Sequence, residues 1–158
     1  MFWRVPSKKD YDAIRGPKAK RAFRALVVHG GARGVVAFDR KEAVGWCSFG
    51  PRRKFPMTET KRAYAVADTG GVWSINCFFV RRDHRGQGIA SRLLEAAVQQ
   101  AGRAGAKCIE GYPSSPSPGT KWAAAWLYKG TVHQFEAAGF REIQRFSKGS
   151  PLMRRALP

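Results

Sequence analysis

The sequence contains little cysteine, and this scarcity excludes two kinds of stabilised or metal-bound domain. Its cysteines are Cys47, Cys77 and Cys108, an odd number at wide spacing, and each lies in an apolar, strand-like stretch. This arrangement fits neither a disulfide framework nor the paired C-x-x-C ligands of a zinc site. We therefore expect three free thiols packed in the interior and no bound metal.

Long hydrophobic runs are also absent. No apolar run approaches the roughly 18 residues that a membrane span requires. The opening residues, Met-Phe-Trp-Arg-Val-Pro, contain neither an apolar signal region nor a small-residue cleavage site. We expect a cytoplasmic protein that does not associate with a membrane.

The length and the apolar content predict one globular domain. The chain has 158 residues, of which 44% are hydrophobic, and this is enough to bury a core. No internal repeat and no change of composition divides it. We expect residues 1–158 to form a single domain, present as a monomer or a homodimer.

Acidic residues are scarce, and the net charge is strongly positive. The chain has 29 Lys and Arg against 11 Asp and Glu, which gives a formal charge of +18. Such a surface attracts polyanions. The basic residues are dispersed, however, and no helix-turn-helix, zinc-finger or ribonucleoprotein signature accompanies them. A nucleic-acid partner is therefore not favoured, and the charge better suits an anionic small molecule.

Hydrophobic periodicity predicts alternating helices and strands. Apolar residues recur at helical spacing in three segments and at strand spacing in six. Such an order, with a hairpin at the front, predicts a mixed α/β sheet of about six to seven strands with flanking helices. The expected helices cover residues 17–29, 88–104 and 131–138, with one or two helical turns in 121–128, and the expected strands cover 34–38, 43–49, 72–80, 107–111, 141–146 and 151–156.

The most informative stretch runs from Val80 to Leu94. An apolar strand ends there, a basic turn with Gly86 and Gly88 follows, and an amphipathic helix begins. A glycine turn that leads into a helix N-terminus presents backbone N–H groups to an anion such as a phosphate. The spacing is not that of a Rossmann fingerprint, since Ser91 stands where the third glycine belongs, and it is not a P-loop.

Three motifs together resemble the GNAT superfamily of N-acetyltransferases. They are Arg85-x-x-Gly88-x-Ala90, the strand end Cys77-Phe-Phe-Val80 and, about 50 residues downstream, Phe135-Glu-Ala-Ala-Gly139-Phe140. The stretches 45–52, 73–80 and 110–113 look like those of an uncharacterised bacterial subgroup. The resemblance implies a GNAT-like acyl-CoA N-acyltransferase fold. It also implies a first strand, for which Trp3–Val5 is the one candidate.

This resemblance implies that acetyl-CoA is the acyl donor and that the acetyl group passes directly to a primary amine of a small-molecule or peptide acceptor. Backbone groups of the strand end would hold the pantetheine arm, and one N–H near Val80 would bind the oxyanion. Amides of the loop would hold the pyrophosphate, while His84 would pack the loop. The implied cofactor-binding residues are Phe78, Phe79, Val80, Arg85, Gly86, Gln87, Gly88, Ile89, Ala90 and Ser91.

The sequence departs from the family at the general acid. Many members have a Tyr four residues before the Gly-Phe pair, but this chain has Phe135, which cannot donate a proton. Either the thiolate leaves without assistance or another group supplies the proton. Our candidate for such a group is Tyr128, seven residues earlier and so about two helical turns away, with His133 a weaker one. For the general base we select Glu110. Strands disfavour Glu, so an acidic residue inside a strand requires an explanation such as a catalytic role. The competing interpretation is that Glu110 faces the sheet edge or is salt-bridged.

Aromatic residues mark a candidate acceptor site, although packing in the core is their usual role. Trp122 and Trp126 lie in a long Pro-rich connection that could form a lid. The expected acceptor-binding residues are Trp46, Trp73, Asn76, Tyr112 and Trp126. Two other functions stay open: a CoA-binding module without turnover, which Phe135 favours, and a basic nucleic-acid-associated protein.

Overall fold

A six-stranded mixed sheet with helices on its faces forms the frame of the protein. The computed structural model describes residues 1–115, 124–145 and 150–158, without the side chains of residues 63 and 124–126. The strand order is β1-β2-β3-β4-β6-β5, in which only β3 and β4 are parallel. The strands are β1 (Arg33–Asp39), β2 (Glu42–Pro51), β3 (Val72–Val80), β4 (Cys108–Gly111), β5 (Arg141–Arg145) and β6 (Pro151–Ala156).

The described part of the chain also contains five α-helices and several 3₁₀ turns, which precede or connect these strands. The helices are α1 (Lys8–Ile14), α2 (Pro17–Val28), α3 (Pro56–Thr60), α4 (Ile89–Arg103) and α5 (Val132–Ala137), and the 3₁₀ turns are Phe2–Arg4, Arg52–Lys54, Arg62–Tyr64, Arg82–His84 and Ala124–Lys129. Among the described residues, no helix combines the length and apolar character that crossing a bilayer requires. The mixed α/β architecture predicted from periodicity is confirmed.

Helix α4 docks on the sheet through an apolar stripe. Leu93, Leu94, Ala97, Val98 and Ala101 are buried in the main core beside residues of β2, β3 and β4. Burial of each of the larger of these side chains contributes about 1.5–3 kcal/mol. This docking fixes the N-terminus of α4 next to the end of β3, where the glycine loop enters.

The predicted first strand at Trp3–Val5 is wrong. Phe2–Arg4 forms a 3₁₀ turn, and helix α1 follows it. A strand cannot continue past Ser7, because this residue is the N-cap of α1. Its side chain accepts a hydrogen bond from the Asp10 backbone N–H at 3.2 Å. The indole of Trp3 is buried and stacks on Tyr112 with a ring separation of 5.3 Å. The turn therefore covers the core with a side chain and adds no strand to the sheet.

The sheet has a gap between β3 and β4 at the C-terminal end of β3. Its pairing with β4 runs from Val72 to Ile75 and then stops. On the other side, Ser48 of β2 pairs with Cys77 and the next residue pairs with Ile75. Asn76 is thus the extra residue of a β-bulge, a feature that re-aims side chains. Past Ile75, the end of β3 has no partner on the β4 side among the described strands, and two cavities border it.

Candidate active site

The first cavity, here called the loop cavity, lies between the end of β3 and the start of α4. It has a volume of about 630 Å³. Its walls come from three parts of the chain: the end of β3, the glycine loop with the first turn of α4, and the segment that leads into α5. The lining residues are Phe78, Phe79, Val80, His84, Arg85, Gly86, Gly88, Ile89, Ala90, Leu127, Tyr128, Gly130, Thr131 and Gln134.

The loop backbone requires glycine at two positions. Gly86 and Gly88 have φ values of 77° and 73°, a left-handed region that side chains other than glycine rarely adopt. Gly88 is the N-cap of α4 and has no side chain to accept from the first helical N–H groups. Those N–H groups are therefore free to bind an anion, which the helix dipole also favours.

Positive charge lies beside this loop. The Arg85 Nε donates to the Val80 carbonyl at 3.0 Å, which holds the guanidinium against the end of β3. His84 lies between Asp39 and Asp83. The Asp83 carboxylate beside the imidazole raises the pKa of His84. Its contacts with Asp83 and Asp39 agree with a loop-packing role, although it also forms part of the cavity wall.

Most of the residues expected to bind the cofactor meet in the loop cavity. The structure brings together Phe78, Phe79, Val80, Arg85, Gly86, Gly88, Ile89 and Ala90. Gln87 faces a neighbouring groove instead, and Ser91 is exposed. Both remain next to the loop, so their backbone amides are candidates for an anion contact. Sequence reasoning missed Leu127, Gly130, Thr131 and Gln134, because their approach depends on the turn that precedes α5.

The second cavity, here called the aromatic cavity, lies at the bulge of β3. Its volume is about 360 Å³. Asn76 and Cys77 of β3, Trp46 of β2 and the N-terminal 3₁₀ turn contribute to its wall. The described lining residues are Met1, Phe2, Trp3, Arg4, Tyr11, Phe23, Trp46, Ser48, Phe55, Asn76, Cys77 and Tyr128. Of the expected acceptor-binding residues, Trp46 and Asn76 are therefore placed together here.

Tyr128 lines both cavities. It does not lie on an extension of α5, since Gly130 (φ 79°) and Thr131 separate the Ala124–Lys129 turn from that helix. The turn packs against β3. Burial raises the pKa of Tyr128 to about 12, so the hydroxyl keeps its proton at neutral pH. No residue of the described part of the chain forms a hydrogen bond with this hydroxyl, which leaves it available to a ligand.

Phe135 belongs to the core. It is fully buried and makes edge-to-face contacts with Phe78 and Phe140, at ring separations of 6.2 and 4.8 Å. Its ring also lies so close to Gly111 that a Cβ at that position would overlap it. A phenyl ring in this position stabilises the packing of α5 on the sheet and supplies no proton.

Glu110, our sequence candidate for the base, lies in a buried ion-pair network. Its side chain is 0% exposed. Arg52 and Tyr112 donate to its Oε1, and Ser74 donates to the same oxygen at 3.1 Å. Arg154 Nε donates to Oε2 at 3.0 Å. Glu110 lines neither cavity, and this environment favours the salt-bridged alternative over a catalytic base.

Arg52 anchors this network, a role that no local pattern in the sequence indicates. Its guanidinium is 2% exposed. Its Nε donates to Glu59 at 2.8 Å, and its Nη2 donates to the Thr58 and Tyr64 carbonyls at 2.8 and 2.6 Å. Such complete pairing is required when a charge is buried. The network fixes the segment between β2 and β3 against β4.

Three further candidates, Trp73, Tyr112 and His133, line neither cavity. Trp73 is buried against Phe49, and Tyr112 stacks on Trp3. Burial and the Glu110 carboxylate raise the pKa of Tyr112, so its phenol stays neutral and donates to Glu110. His133 is exposed on α5. Trp122 and the side chain of Trp126 lie outside the described residues.

Cys77 is the thiol of the aromatic cavity. Burial raises its pKa to about 11. Because the thiolate is the nucleophilic form of cysteine, this thiol is poorly suited to carry an acyl group.

Comparisons with known proteins agree with the fold. A model of the acetyltransferase (GNAT) family matches residues 3–113. An N-acetyltransferase from Staphylococcus aureus Mu50 has 15% identity and a TM-score of 0.61, with 98% of this chain and 97% of that chain covered. A ribosomal-protein-alanine N-acetyltransferase from Brucella melitensis has 18% identity and a TM-score of 0.58, with 89% and 78% covered.

A third structure was solved with a ligand. It is a GNAT superfamily phosphinothricin acetyltransferase from Sinorhizobium meliloti in complex with acetyl-CoA, with 20% identity, a TM-score of 0.56 and coverage of 90% and 70%. A comparison with curated protein sequences gives no match.

Proposed function

The chain belongs to the GNAT family of acetyltransferases, and we propose that it transfers the acetyl group of acetyl-CoA directly to a primary amine. The observation that carries this proposal is the pair of cavities that share Tyr128 at the open end of β3. The loop cavity suits the acyl donor, and the aromatic cavity suits the amine. The acetyl-CoA bound to the structural relative from Sinorhizobium meliloti supports the choice of donor.

The residues of the loop cavity fit the parts of acetyl-CoA. The loop and the first turn of α4 offer free N–H groups and positive charge, which suit the pyrophosphate. The end of β3 has unpaired backbone groups beside an apolar wall, which suit the amides and the methylenes of pantetheine. The thioester at the end of the pantetheine arm would then lie beyond Val80, as seen from the glycine loop, and close to Tyr128.

The chemistry requires a donor for the oxyanion. A proton supplied to the leaving sulfur assists its departure. When bound, acetyl-CoA supplies the thioester carbonyl that the amine nitrogen attacks. A backbone N–H near Val80 is our candidate for the oxyanion donor. The amine loses one proton to water before it attacks, because only its neutral form has a lone pair for the carbonyl carbon. As the new carbon–nitrogen bond forms, the nitrogen loses a second proton to water. The Tyr128 hydroxyl donates a proton to the sulfur as the carbon–sulfur bond breaks, and the phenolate then regains a proton from water.

Direct attack is favoured over a covalent enzyme intermediate. A covalent intermediate needs a nucleophilic side chain, and Cys77 is the candidate for it. Its pKa of about 11 keeps this thiol protonated. The amine therefore has no competing thiolate in the described wall of its cavity.

Release of free thiol tests the proposed function. We expect acetyl-CoA to release thiol only when both the protein and a suitable primary amine are present, and mass spectrometry should show the amine heavier by one acetyl group. Acetyl-CoA alone should raise the melting temperature of the protein, because it binds the folded state. Stabilisation without turnover of any amine in a broad panel would instead favour a CoA-binding module.

A further inference from the structure

The wall of the aromatic cavity combines flat apolar groups with polar atoms that lack partners. Trp3, Phe23, Trp46 and Phe55 supply rings. The cavity, at about 360 Å³, lies at the small end of the range of ligand sites. A ligand of this site is therefore small, and part of it is aromatic or otherwise apolar.

Asn76 presents an unsatisfied amide to this cavity. The residue is 2% exposed, and neither its Nδ2 nor its Oδ1 has a hydrogen-bond partner among the described residues. Buried polar groups are nearly always paired, and each exception needs an explanation. The bulge turns this side chain toward the aromatic cavity, so a ligand with both a donor and an acceptor group would satisfy it.

Arg4 adds a positive charge without an acidic partner. Its guanidinium lies over the Phe55 ring at 4.5 Å, and Nη1 donates to the Gly31 carbonyl at 3.3 Å. Its Nη2 is buried and has no hydrogen-bond partner in the described part of the chain, and the same is true of the Trp3 Nε1. No described Asp or Glu forms an ion pair with Arg4. Burial lowers the pKa of Arg4, because its charge is removed from water without a compensating anion.

We infer that the acceptor is a small primary amine with a carboxylate and an aromatic or apolar body, as in an aromatic amino acid. This inference rests on the proposed function and names its substrate class. The carboxylate accepts from Arg4 and Trp3, the body packs among the rings, and the Asn76 Oδ1 accepts from the amine. A polyamine would meet the repulsion of Arg4 and would leave these donors unpaired.

Three amines test this inference: L-phenylalanine, 2-phenylethylamine, which lacks only the carboxylate, and spermidine. Thiol release from acetyl-CoA gives kcat/KM for each. We expect the protein to prefer phenylalanine over 2-phenylethylamine by about 10- to 100-fold, the range for hydrogen bonds to a charged group, and to use spermidine least. Arg4→Met should reduce the preference to below about threefold.

Arg24→Met is the matched control, because Arg24 is exposed on α2 and lines neither cavity. It should keep the preference of the native protein. Equal or better use of 2-phenylethylamine or spermidine would overturn the inference while the proposed function stands. An unchanged preference in Arg4→Met would overturn it as well. If acetyl-CoA neither stabilises the protein nor releases thiol with any of these amines, the proposed function itself fails.

Discussion

Replacement of Glu110 by Gln is expected to lower the free energy of unfolding by about 3–5 kcal/mol, the usual cost of removing one member of a buried ion pair. Two guanidinium groups, those of Arg52 and Arg154, point at this carboxylate. An amide leaves both cations without their shared anion. It also presents N–H donors to groups that already donate, so at least one hydrogen bond is lost outright. Urea denaturation of the variant and the native protein measures the difference.

Glu59→Gln is the control for this variant. Glu59 pairs with the same Arg52, but its side chain is 48% exposed, so its loss should cost no more than about 1 kcal/mol. The two variants together separate a structural role from a catalytic one. If Glu110→Gln kept the native stability and lost turnover, Glu110 would be the base after all, and our structural assignment would be wrong.

The second large effect is expected for Tyr128→Phe. If the Tyr128 hydroxyl donates the proton to the leaving sulfur, its removal should lower kcat about 100-fold, which is within the usual contribution of a general acid. The KM for acetyl-CoA should change little, because the ring that forms the cavity wall remains. Steady-state thiol release at saturating amine measures both constants.

The pH dependence gives an independent check on Tyr128. Burial raises its pKa to about 12, so the acid stays protonated well above neutral pH. For the native protein, kcat should therefore not fall between about pH 7 and pH 10 through loss of this proton.

Tyr64→Phe is the matched control for Tyr128→Phe, since Tyr64 is partly buried in the same aromatic cluster but lines neither cavity. A loss of kcat in that variant as large as in Tyr128→Phe would contradict the assignment.

The glycine loop and its helix were predictable because their signals are local. The apolar run of β3, the glycines at positive φ and the stripe of α4 lie within one continuous stretch, 72–103. Periodicity and turn chemistry act over such distances. The resemblance to the GNAT superfamily then indicated acetyl-CoA as the ligand of the anion site, which the local pattern alone could not specify.

The aromatic cavity and the ion-pair network could not be predicted in this way. Arg52 lies 58 residues from Glu110 in sequence, and nothing local marks it as buried. Trp3 and Arg4 reach the cavity only because the chain forms a 3₁₀ turn where a strand was expected. Glu110 did stand out as an acidic residue in a strand. Its partners, and therefore its role, depend on how the sheet is assembled.

Calorimetric titration of acetyl-CoA into the native protein and two Ala90 variants tests whether the loop cavity holds this acyl donor. Ala90 lies in the first turn of α4 and lines this cavity. Ala90→Glu places a carboxylate where the phosphates would bind, yet an acidic residue in the first helical turn favours folding. Ala90→Gln has almost the same size without the charge.

We expect one acetyl-CoA to bind per native chain, a loss of about 100-fold or more in affinity for Ala90→Glu, and a loss below about tenfold for Ala90→Gln, since charge repulsion in a partly buried site exceeds the effect of size. Absence of binding to the native protein, or equal affinity in the two variants, would show that acetyl-CoA does not bind in the loop cavity.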